Sequence, residues 1–492
     1  MNPLTIGLLV ESLRADRYAA ELALWIKGQP NLRLALIAAP RAVPKPNLLW
    51  RLIVALERFF LRWNVAHRDH YSVRDLAPLA TPVAPDDVDV VIGFGRKVPP
   101  LLAAGSRLGA ITVLHGGFWE CYERRPQTSF VIYRAGTGEV LRKGSFHTRF
   151  YYSLNHANVC KKSVAHLKQI LAKLAASGEW PAGQKPDAAK PRVAPNAAQC
   201  VFYAGKLAAR VTRKALQRVP MLNERWGISV IPGKWNGPRP WRAVTVRMPR
   251  GRYWADPFVY SRGGRTFCYV EDLDQRTHRG HITALEVIGT RVVEVGVALR
   301  EPFHLSFPFL FEHQGELYMC PETSAAREVR VYRAVEFPLR WQLAQVLMRG
   351  VSAADPLIFE KGGRWWLLAN IDEAETGDHC SELYLFSADS PLSTNWIAHP
   401  QNPLLIDSIG GRNGGLIFDG EKRYRLGQSQ GYDRYGESLR VYEITQLSPE
   451  RYAEQCVAKI KPDFRIGMRG MHHLSTDGAT TVVDHATAVF GF

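Results

Sequence analysis

The stretch Asp355-Pro356-Leu357-Ile358-Phe359, followed by Gly362-Gly363 and Trp365-Trp366-Leu367-Leu368, decides the fold because its pattern occurs five times in the chain. Short apolar runs on both sides of a glycine-containing turn predict a β-hairpin. Copies recur at intervals of roughly 50 to 60 residues, a spacing typical of propeller blades. Their first residues are Asp256, Phe307, Asp355, Gly414 and His472. We therefore expect an all-β five-bladed β-propeller around a central funnel.

Two copies open on an Asp-Pro step, Asp256-Pro257 and Asp355-Pro356. Proline cannot donate to a strand ladder and is tolerated at the first position of a strand. It also pushes the preceding residue towards an extended conformation. We therefore expect Asp256 and Asp355 at the mouths of innermost strands, facing each other across the funnel. A plain strand-entry turn is the alternative explanation.

Charge is segregated along the chain. Residues 1–250 carry 38 Lys+Arg against 15 Asp+Glu, whereas residues 251–492 carry 25 against 31. A basic front half indicates an anionic partner, which is either nucleic acid or an anionic lipid surface. No nucleic-acid-binding motif accompanies the basic residues, so the sequence favours lipid and no nucleic acid.

The seven cysteines are scattered and form no Cys-x-x-Cys pair, which predicts reduced thiols rather than disulfides. The N-terminal stretch lacks a basic region and is interrupted by Glu11 and Arg14, so no secretory signal is predicted. No run of 18 uncharged apolar residues occurs. We expect a cytoplasmic protein that is peripheral to the inner membrane.

Residues 1–174 alternate between strand-like and helix-like segments, which predicts an α/β domain with a parallel sheet. Residues 175–224 begin as an Ala-, Pro- and Lys-rich linker and continue as a basic helix over Val201–Arg218. Residues 225–492 form the predicted propeller. Its first strand, Trp226–Ile231, is expected to complete the last blade and close the ring.

His115-Gly116-Gly117 lies just past a predicted strand, where open α/β sheets bind ligands, so His115 is a candidate site residue. A structural role for this histidine is the favoured alternative. The motif Val113-Leu114-His115-Gly116-Gly117, with Gly136-Thr137-Gly138 after it, resembles formyltransferase-type domains over residues 85–165. Such enzymes use an Asn, a His and an Asp to pass a formyl group to an amine. Only His115 matches, since Gly136 replaces the Asp. The resemblance therefore implies a degenerate formyltransferase-like domain, with an amino-sugar formyltransferase as an alternative.

The segment Asn47–Trp63 is predicted to be a helix with a basic stripe of Arg51, Arg58 and Arg62. Apolar residues cover nearly all of the remaining surface, and tryptophans lie near both ends. This pattern is typical of a helix that lies on a membrane, and also of a helix packed into a core. The basic front half favours the membrane. The predicted contacts are Trp50, Phe59, Phe60 and Trp63.

The propeller resembles two related groups. Its Asp-Pro steps are similar to those of five-bladed arabinanase/xylosidase-type glycosidases, in which one Asp is a base and another tunes an acid. The stretches His304–Glu312, Pro321-Glu322, Trp365-Trp366 and Gly411-Arg412-Asn413-Gly414-Gly415 more closely resemble the glycosidase-like region of plant glucosamine inositolphosphorylceramide transferases. Similar regions occur in bacterial proteins of surface-glycan assembly.

The fourth repeat distinguishes this chain from the glycosidases. The glycosidases have a Glu acid there, whereas this chain offers Gln428, and an amide cannot protonate a leaving sugar alkoxide. A phosphate leaving group needs no acid but benefits from positive charge, which Arg412 supplies. The pattern therefore favours transfer from a sugar phosphate. A hydrolase remains an alternative, because Glu322 could serve as the acid. For Arg412, the alternative role is a salt bridge to Asp355 or Asp256.

We therefore expect a glycosyltransferase-like enzyme of surface-glycan or glycolipid biosynthesis. Its partners would be a donor activated by a nucleotide or lipid phosphate, a glycan or glycolipid acceptor, and an anionic membrane. The same fold would also suit a glycoside hydrolase or a non-catalytic glycan-binding protein. Asp256 is the expected base and Asp355 orients sugar hydroxyls. The predicted catalytic residues are Asp256, Asp355 and Glu322, and the predicted substrate-binding residues are Arg412, Asn413, Gln428, His304, His472, His473 and Glu271.

No cofactor is expected, and no metal site is predicted. His472-His473 could join Asp256 and His304 around an ion, but none of these residues has the spacing of a known ligand motif.

Overall fold

The computed structural model describes residues 3–39, 47–63, 73–79, 87–185, 194–216, 223–235 and 242–489. The chain divides into two units, Met1–Arg213 and Lys214–Phe492. Parts of the predicted linker and basic helix, residues 186–193 and Arg218, lie outside the described residues. The same holds for Met1 and Asn2.

The first unit is built on a sheet whose strand order is β3-β1-β5-β6-β7-β8. A separate pair, β2 and β4, flanks it. In the described part of this unit the strands are β1 Leu4–Val10, β2 Arg14–Asp16, β3 Leu32–Ala38, β4 Val73–Asp75, β5 Val90–Phe94, β6 Gly109–His115, β7 Gln127–Ala135 and β8 Val140–His147. The helices are α1 Arg17–Lys27, α2 Leu48–Phe60, α3 Pro100–Gly105, α4 Phe118–Glu123, α5 Tyr152–Ser177 and α6 Ala197–Leu216.

This sheet is mixed, which corrects the expectation of a parallel sheet. β1 pairs in parallel with β3 and β5, and β5 pairs in parallel with β6. β7 and β8 are antiparallel to their neighbours. The reason is the length of the connection: only residues 136–139 join β7 to β8, and a parallel crossover needs a dozen or more. Gly136 lies in this turn with φ +98°.

The formyltransferase-like character of this unit stays a prediction, because a mixed sheet with helices is common to many folds. None of the helices in the described part of the chain combines the length and the apolar character that crossing a bilayer requires.

The second unit is a five-bladed β-propeller, as predicted. Each blade is an antiparallel sheet of four or five strands within the described residues. The first blade contains β11 Arg252–Arg262, β12 Arg265–Asp274, β13 Arg279–Ile288 and β14 Arg291–Leu299; the second contains β15 Ser306–His313, β16 Glu316–Glu322, β17 Glu328–Glu336 and β18 Arg340–Arg349. The third contains β19 Ala353–Lys361, β20 Arg364–Ile371, β21 Glu382–Ala388, β22 Ile397–Ala398 and β23 Leu405–Ile406; the fourth contains β24 Ile409–Asp419, β25 Lys422–Gly431, β26 Arg434–Leu447 and β27 Tyr452–Ile460. The fifth contains β9 Asn223–Pro232, β10 Val244–Thr245, β28 Met468–Gly470, β29 Leu474–Thr476 and β30 Thr480–Val489.

The ring closes through the fifth blade, which joins the first and last strands of the unit. β9 pairs with β30 along its whole length, from Asn223 opposite Val489 to Pro232 opposite Thr480. Closure removes the unpaired sheet edges that an open array would expose. The predicted role of the strand around Trp226–Ile231 is therefore confirmed.

The innermost strands are bulged at the repeated step rather than beginning there. The ladder skips two residues between Ala255 and Phe258, and again between Ala354 and Leu357. Asp256 and Asp355 adopt φ +49° and +48°, so the expectation of an extended conformation before proline is wrong. A bulge leaves its residues out of the ladder and redirects their side chains, and such strain is concentrated at functional sites.

The propeller core is formed by the apolar residues that flank these bulges. The largest cluster includes Phe258, Phe309, Leu357 and Leu416, which come from four different blades. These buried side chains pack against one another next to the bulges of the innermost strands.

Candidate active site

A cluster of charged and polar side chains lies around the bulges of the innermost strands. The side chains of nine of the ten propeller residues predicted to form the site make hydrogen bonds or ion pairs within this cluster. They are Asp256, Glu271, His304, Glu322, Asp355, Arg412, Asn413, Gln428 and His472.

Asp355 is held by a bidentate ion pair with Arg412. Arg412 Nε donates to Asp355 Oδ2 at 2.6 Å and Nη2 donates to Oδ1 at 3.1 Å. Nη2 also lies 3.5 Å from Glu322 Oε2. The Asp355 side chain is 1% exposed and that of Arg412 is 15% exposed. The salt bridge considered from the sequence is therefore present, and Arg412 lies between two carboxyl groups.

Two amide side chains complete the surroundings of Asp355. Gln428 Nε2 donates to Asp355 Oδ2 at 3.1 Å and to the Asn413 carbonyl at 2.6 Å. Asn413 Nδ2 donates to the Asp355 carbonyl at 2.9 Å, and its backbone N–H donates to Asn370 Oδ1 at 2.8 Å. With both carboxylate oxygens accepting hydrogen bonds, the Asp355 side chain is fixed in orientation.

Asp256 belongs to a second group, in which His472 lies between two carboxyls. His472 Nε2 is 3.6 Å from Asp256 Oδ1, and Nδ1 is 2.5 Å from Asp484 Oδ2. Asp484 Oδ1 accepts the backbone N–H groups of His472 and His473 at 2.9 and 2.8 Å. The imidazole is therefore anchored on Asp484 and directs its other nitrogen towards Asp256.

Aromatic rings border His472 and Arg412. The ring of Trp226 lies 4.0 Å from that of His472, and Tyr435 lies 5.2 Å from it on another side. The Arg412 guanidinium lies 5.2 Å from the centre of the Tyr435 ring. Tyr435 thus contacts both the imidazole and the guanidinium of the cluster.

A third contact joins His304 to Glu271. His304 Nδ1 accepts the Gly280 N–H at 2.9 Å, so the ring proton is on Nε2, which lies 3.4 Å from Glu271 Oε1. The His304 side chain is 34% exposed, whereas that of Glu271 is 10% exposed. Burial lowers the pKa of His304, and the weaker effect of Glu322, which raises it, does not offset this. His304 is therefore a neutral donor at the edge of the cluster.

The cluster holds more carboxyl groups than cations, so its carboxyls differ in protonation. Burial is the main cause that raises the pKa of Asp256 to about 6, with His472 opposing it. Burial and the neighbouring carboxyls raise the pKa of Glu271 well above its usual value. Burial favours the neutral form of Glu322 too, but Arg412 and His379 outweigh it and lower the pKa. Burial therefore favours the protonated form of Glu271, while at neutral pH Glu322 and most of Asp256 are ionised.

Burial and neighbouring charges also shift the pKa values of Asp355 and His472. Burial raises the pKa of Asp355 well above its usual value, and Glu322 adds to this effect while Arg412 opposes it. Burial lowers the pKa of His472, but Asp484 and Asp256 outweigh burial and raise it. His472 is therefore positioned to carry a positive charge beside Asp256.

His473 is placed differently from the other predicted residues. Its ring packs against Phe258 and Phe307 at 4.4 and 5.2 Å between ring centres. Burial lowers the pKa of His473 to about 3. The structure therefore places this histidine as a neutral ring in the propeller core.

Sequence reasoning missed Asp484, Asn370, Tyr435 and Trp226. Asp484 lies in β30 within the run Val482-Val483-Asp484-His485, where a carboxylate interrupts an otherwise buried strand. A fully buried charge needs a partner, so the carboxylate among these buried residues was the sequence feature that could have identified Asp484. The other three residues stand outside the repeated step and had no comparable signal.

Asp256, His472 and Asp484 each offer a ligand atom, and these atoms lie within 4.8 Å of one another. The 2.5 Å separation of His472 Nδ1 and Asp484 Oδ2 requires a proton between them. Asp484 also accepts three backbone N–H groups, those of Asp256, His472 and His473. The arrangement therefore suits proton transfer better than metal binding, and His473 does not join it.

Predicted sites in the first unit lie on different elements. His115 ends β6, with Nε2 3.3 Å from Cys160 Sγ.

The predicted membrane contacts differ in exposure. Trp50 packs inward against Phe118 and Tyr152, at 4.8 and 4.7 Å between ring centres. The remaining three predicted membrane contacts are exposed: Phe59 to 57%, Phe60 to 52% and Trp63 to 81%.

Residues 243–472 match the family model described as "Glucosamine inositolphosphorylceramide transferase 1, N-terminal". Glucosamine inositolphosphorylceramide transferase 1 of Arabidopsis thaliana is 38% identical over 206 residues, which are 41% of this chain and 26% of that protein. The protein of the same name from Oryza sativa subsp. japonica is 37% identical over 206 residues, 41% of this chain and 27% of that protein. The predicted resemblance of the propeller to these transferases is confirmed. The chain spans about a quarter of the length of these curated relatives.

Among solved structures, Zg3597, a family 117 glycoside hydrolase of Zobellia galactanivorans, is 13% identical with a TM-score of 0.36. The match covers 54% of this chain and 91% of that chain.

Proposed function

We propose that the propeller transfers a sugar from a phosphate-activated donor to a hydroxyl group of a glycan or glycolipid acceptor. The observation that carries the proposal is that residues 243–472 match a family described as a transferase. This segment contains all nine clustered residues, from Asp256 to His472. A charged site bordered by aromatic rings is also the usual environment for binding sugar rings next to charged groups.

Asp256 acts as the base in this proposal. Asp355 is bound by Arg412 and Gln428 through both oxygens, whereas the Asp256 carboxylate has the longer 3.6 Å contact with His472. With a pKa of about 6, Asp256 is ionised at neutral pH and still basic enough to accept a proton. The acceptor hydroxyl gives its proton to Asp256, its oxygen bonds to the anomeric carbon, and the donor phosphate leaves with the electrons of the broken C–O bond.

Arg412 and Asp355 position the donor. Arg412 is partly exposed and supplies the cationic charge that a departing phosphate needs, while Asp355 fixes the direction of the guanidinium. Asp355 also orients sugar hydroxyls through the network of Gln428 and Asn413. Because both neighbours of Arg412 are carboxyls, binding of a phosphate depends on partial protonation of the Asp355–Glu322 pair.

A glycoside hydrolase is the second candidate, and Glu271 is the observation that favours it. An inverting hydrolase needs a protonated acid beside an ionised base. Glu271 has a raised pKa and its backbone lies opposite Ala255, next to Asp256. Glu322, considered as the acid from the sequence, has a lowered pKa and is the weaker choice.

We also propose that the first unit docks on an anionic, cytoplasm-facing membrane surface through α2. Ile53 and Glu57 face inward, and the opposite side exposes a continuous apolar surface. This surface consists of Leu48, Leu52, Leu56, Phe59, Phe60 and Trp63.

The basic residues of α2 surround this surface. Arg51, Arg58 and Arg62 are exposed, and the Arg62 guanidinium lies 3.9 Å from the centre of the Phe59 ring. Apolar side chains bordered by arginines match the acyl chains and anionic headgroups of a bilayer surface. Trp50 is not part of this surface because its ring packs inward.

A donor screen tests the transferase. The purified protein is incubated with nucleotide sugars, amino sugars included, and with polyprenyl-phosphate sugars, together with glycolipid acceptors. We expect transfer from one donor class, with loss of transfer in Asp256→Asn and retention in Asp419→Asn, which changes an exposed carboxylate of the fourth blade. Cleavage of aryl glycosides without transfer from any donor would support the hydrolase instead.

A further inference from the structure

A cluster of metal-ligating side chains lies in the first unit and takes no part in the proposed sugar transfer. It consists of His115, His156 and Cys160, whose ligand atoms all lie within 4.8 Å of one another. Cys160 Sγ is 3.3 Å from His115 Nε2 and 3.7 Å from either ring nitrogen of His156. The rings of His115 and His156 meet edge to face, 5.0 Å between centres.

These separations fit a tetrahedral zinc ion. Zinc binds thiolate at about 2.3 Å and imidazole at about 2.0–2.1 Å. With tetrahedral angles, those bond lengths place sulfur and nitrogen about 3.6 Å apart. The observed 3.3 and 3.7 Å lie on either side of that value. The sulfur–nitrogen separations are therefore close to those that a zinc ion requires.

Two different elements hold the ligands in place. His156 and Cys160 are one helical turn apart in α5, so both project from the same face of a 26-residue helix. His115 is the last residue of β6, and its Nδ1 lies 3.4 Å from the Gly116 carbonyl. A proton on Nδ1 that points to a carbonyl leaves the Nε2 lone pair available, which is the usual arrangement of histidine ligands.

We propose that His115, His156 and Cys160 bind a divalent transition-metal ion of the zinc class. One thiolate and two imidazoles form a ligand set that prefers zinc over magnesium or calcium. Cys160 is buried, whereas His115 and His156 are partly exposed, so solvent reaches the cluster from the histidine side. A fourth position is then open to water or to an exogenous ligand, as in the three-ligand zinc sites. Binding converts the Cys160 thiol to a thiolate and releases its proton to solvent.

Cobalt substitution tests this site on the full chain. Chelator-treated protein is titrated with Co²⁺, and the expected result is one equivalent bound with a thiolate-to-cobalt charge-transfer band. Added Zn²⁺ should displace the cobalt and abolish the band. Cys160→Ser should remove the band and weaken binding by about tenfold or more, while Cys456→Ser, which changes an exposed cysteine of the propeller, should alter neither.

A second variant tests the metal site if Cys160→Ser does not fold. His156→Gln should then weaken binding while it leaves the thiolate band of the remaining ligands at saturating cobalt. Absence of stoichiometric binding by the unaltered protein, or a cobalt spectrum without a thiolate band, would overturn the proposal. A band that persists in folded Cys160→Ser would overturn it as well.

Discussion

Arg412 binds Asp355 through two parallel contacts, Nε to Oδ2 at 2.6 Å and Nη2 to Oδ1 at 3.1 Å. The pair joins the bulge of the third blade to the innermost strand of the fourth. It therefore separates the two predicted carboxylates into different roles. Asp355 is immobilised by its partner, whereas Asp256, with its longer 3.6 Å contact to His472, is the proposed base.

Replacement of Arg412 by Ala should lower both stability and donor binding. The change leaves the carboxyls of Asp355 and Glu322 buried without their cation, and breaking a buried pair costs about 3–5 kcal/mol. Urea unfolding measures the first effect and donor titration the second. Replacement of Arg423 by Ala is the matched control from the same blade. An Arg412→Ala protein with unchanged unfolding free energy would contradict the buried ion pair.

The acidic limb of the pH–rate profile should follow Asp256. Since the base must be ionised, activity should rise with pH through about 6. The positive charge of His472 lowers the pKa of Asp256, so His472→Gln should move this limb to higher pH. His278→Asn, a change in an exposed turn, should leave the profile in place. A limb that moves to lower pH in His472→Gln would contradict the proposed charge on the imidazole.

Gln428→Glu should impair transfer. The new carboxyl would lie where Nε2 now donates to Asp355 Oδ2 at 3.1 Å and to the Asn413 carbonyl at 2.6 Å. Both hydrogen bonds are lost, and a negative charge is added near the donor phosphate. Rates of transfer and of aryl-glycoside hydrolysis are measured side by side. Transfer at the rate of the unaltered protein would count against a donor phosphate near Gln428.

Membrane binding should depend on the exposed face of α2. The protein should sediment with anionic vesicles and be released as salt rises, since charges are screened beyond about 10 Å at 0.1 M. Phe59→Ser with Phe60→Ser should weaken sedimentation with little loss of stability, because both side chains are more than half exposed. Phe418→Ser, at an exposed propeller position, is the control. A large loss of stability in the double variant would instead indicate that these rings pack in a core.

The propeller could be predicted because its repeat is local: each hairpin carries its own apolar runs and glycine turn. Ring closure was expected because Trp226–Ile231 was predicted to be the first propeller strand, ahead of the first repeat. The left-handed conformation of Asp256 and Asp355 could not be predicted, because local sterics disfavour it and the surrounding blades impose it. The mixed sheet was missed because strand periodicity does not carry direction.

The site was predicted where the repeat marked it and missed where it depended on tertiary contacts. Asp256 and Asp355 stand at equivalent steps of the blades, and Arg412 lies two residues before the corresponding step of the fourth blade. Asp484 lies outside that step and matters only because the closed ring brings β30 next to His472. The role of Asp484 could therefore be identified only from the folded structure.

Base catalysis by Asp256 is tested most directly by the turnover of Asp256→Asn with the donor and acceptor found in the screen. We expect a folded protein whose affinity for the donor is unchanged and whose rate of transfer falls by about 100-fold or more, the usual scale of general-base catalysis. Asp419→Asn should transfer at the rate of the unaltered protein. Transfer that survives at that rate in Asp256→Asn would contradict the role of this carboxylate as the base.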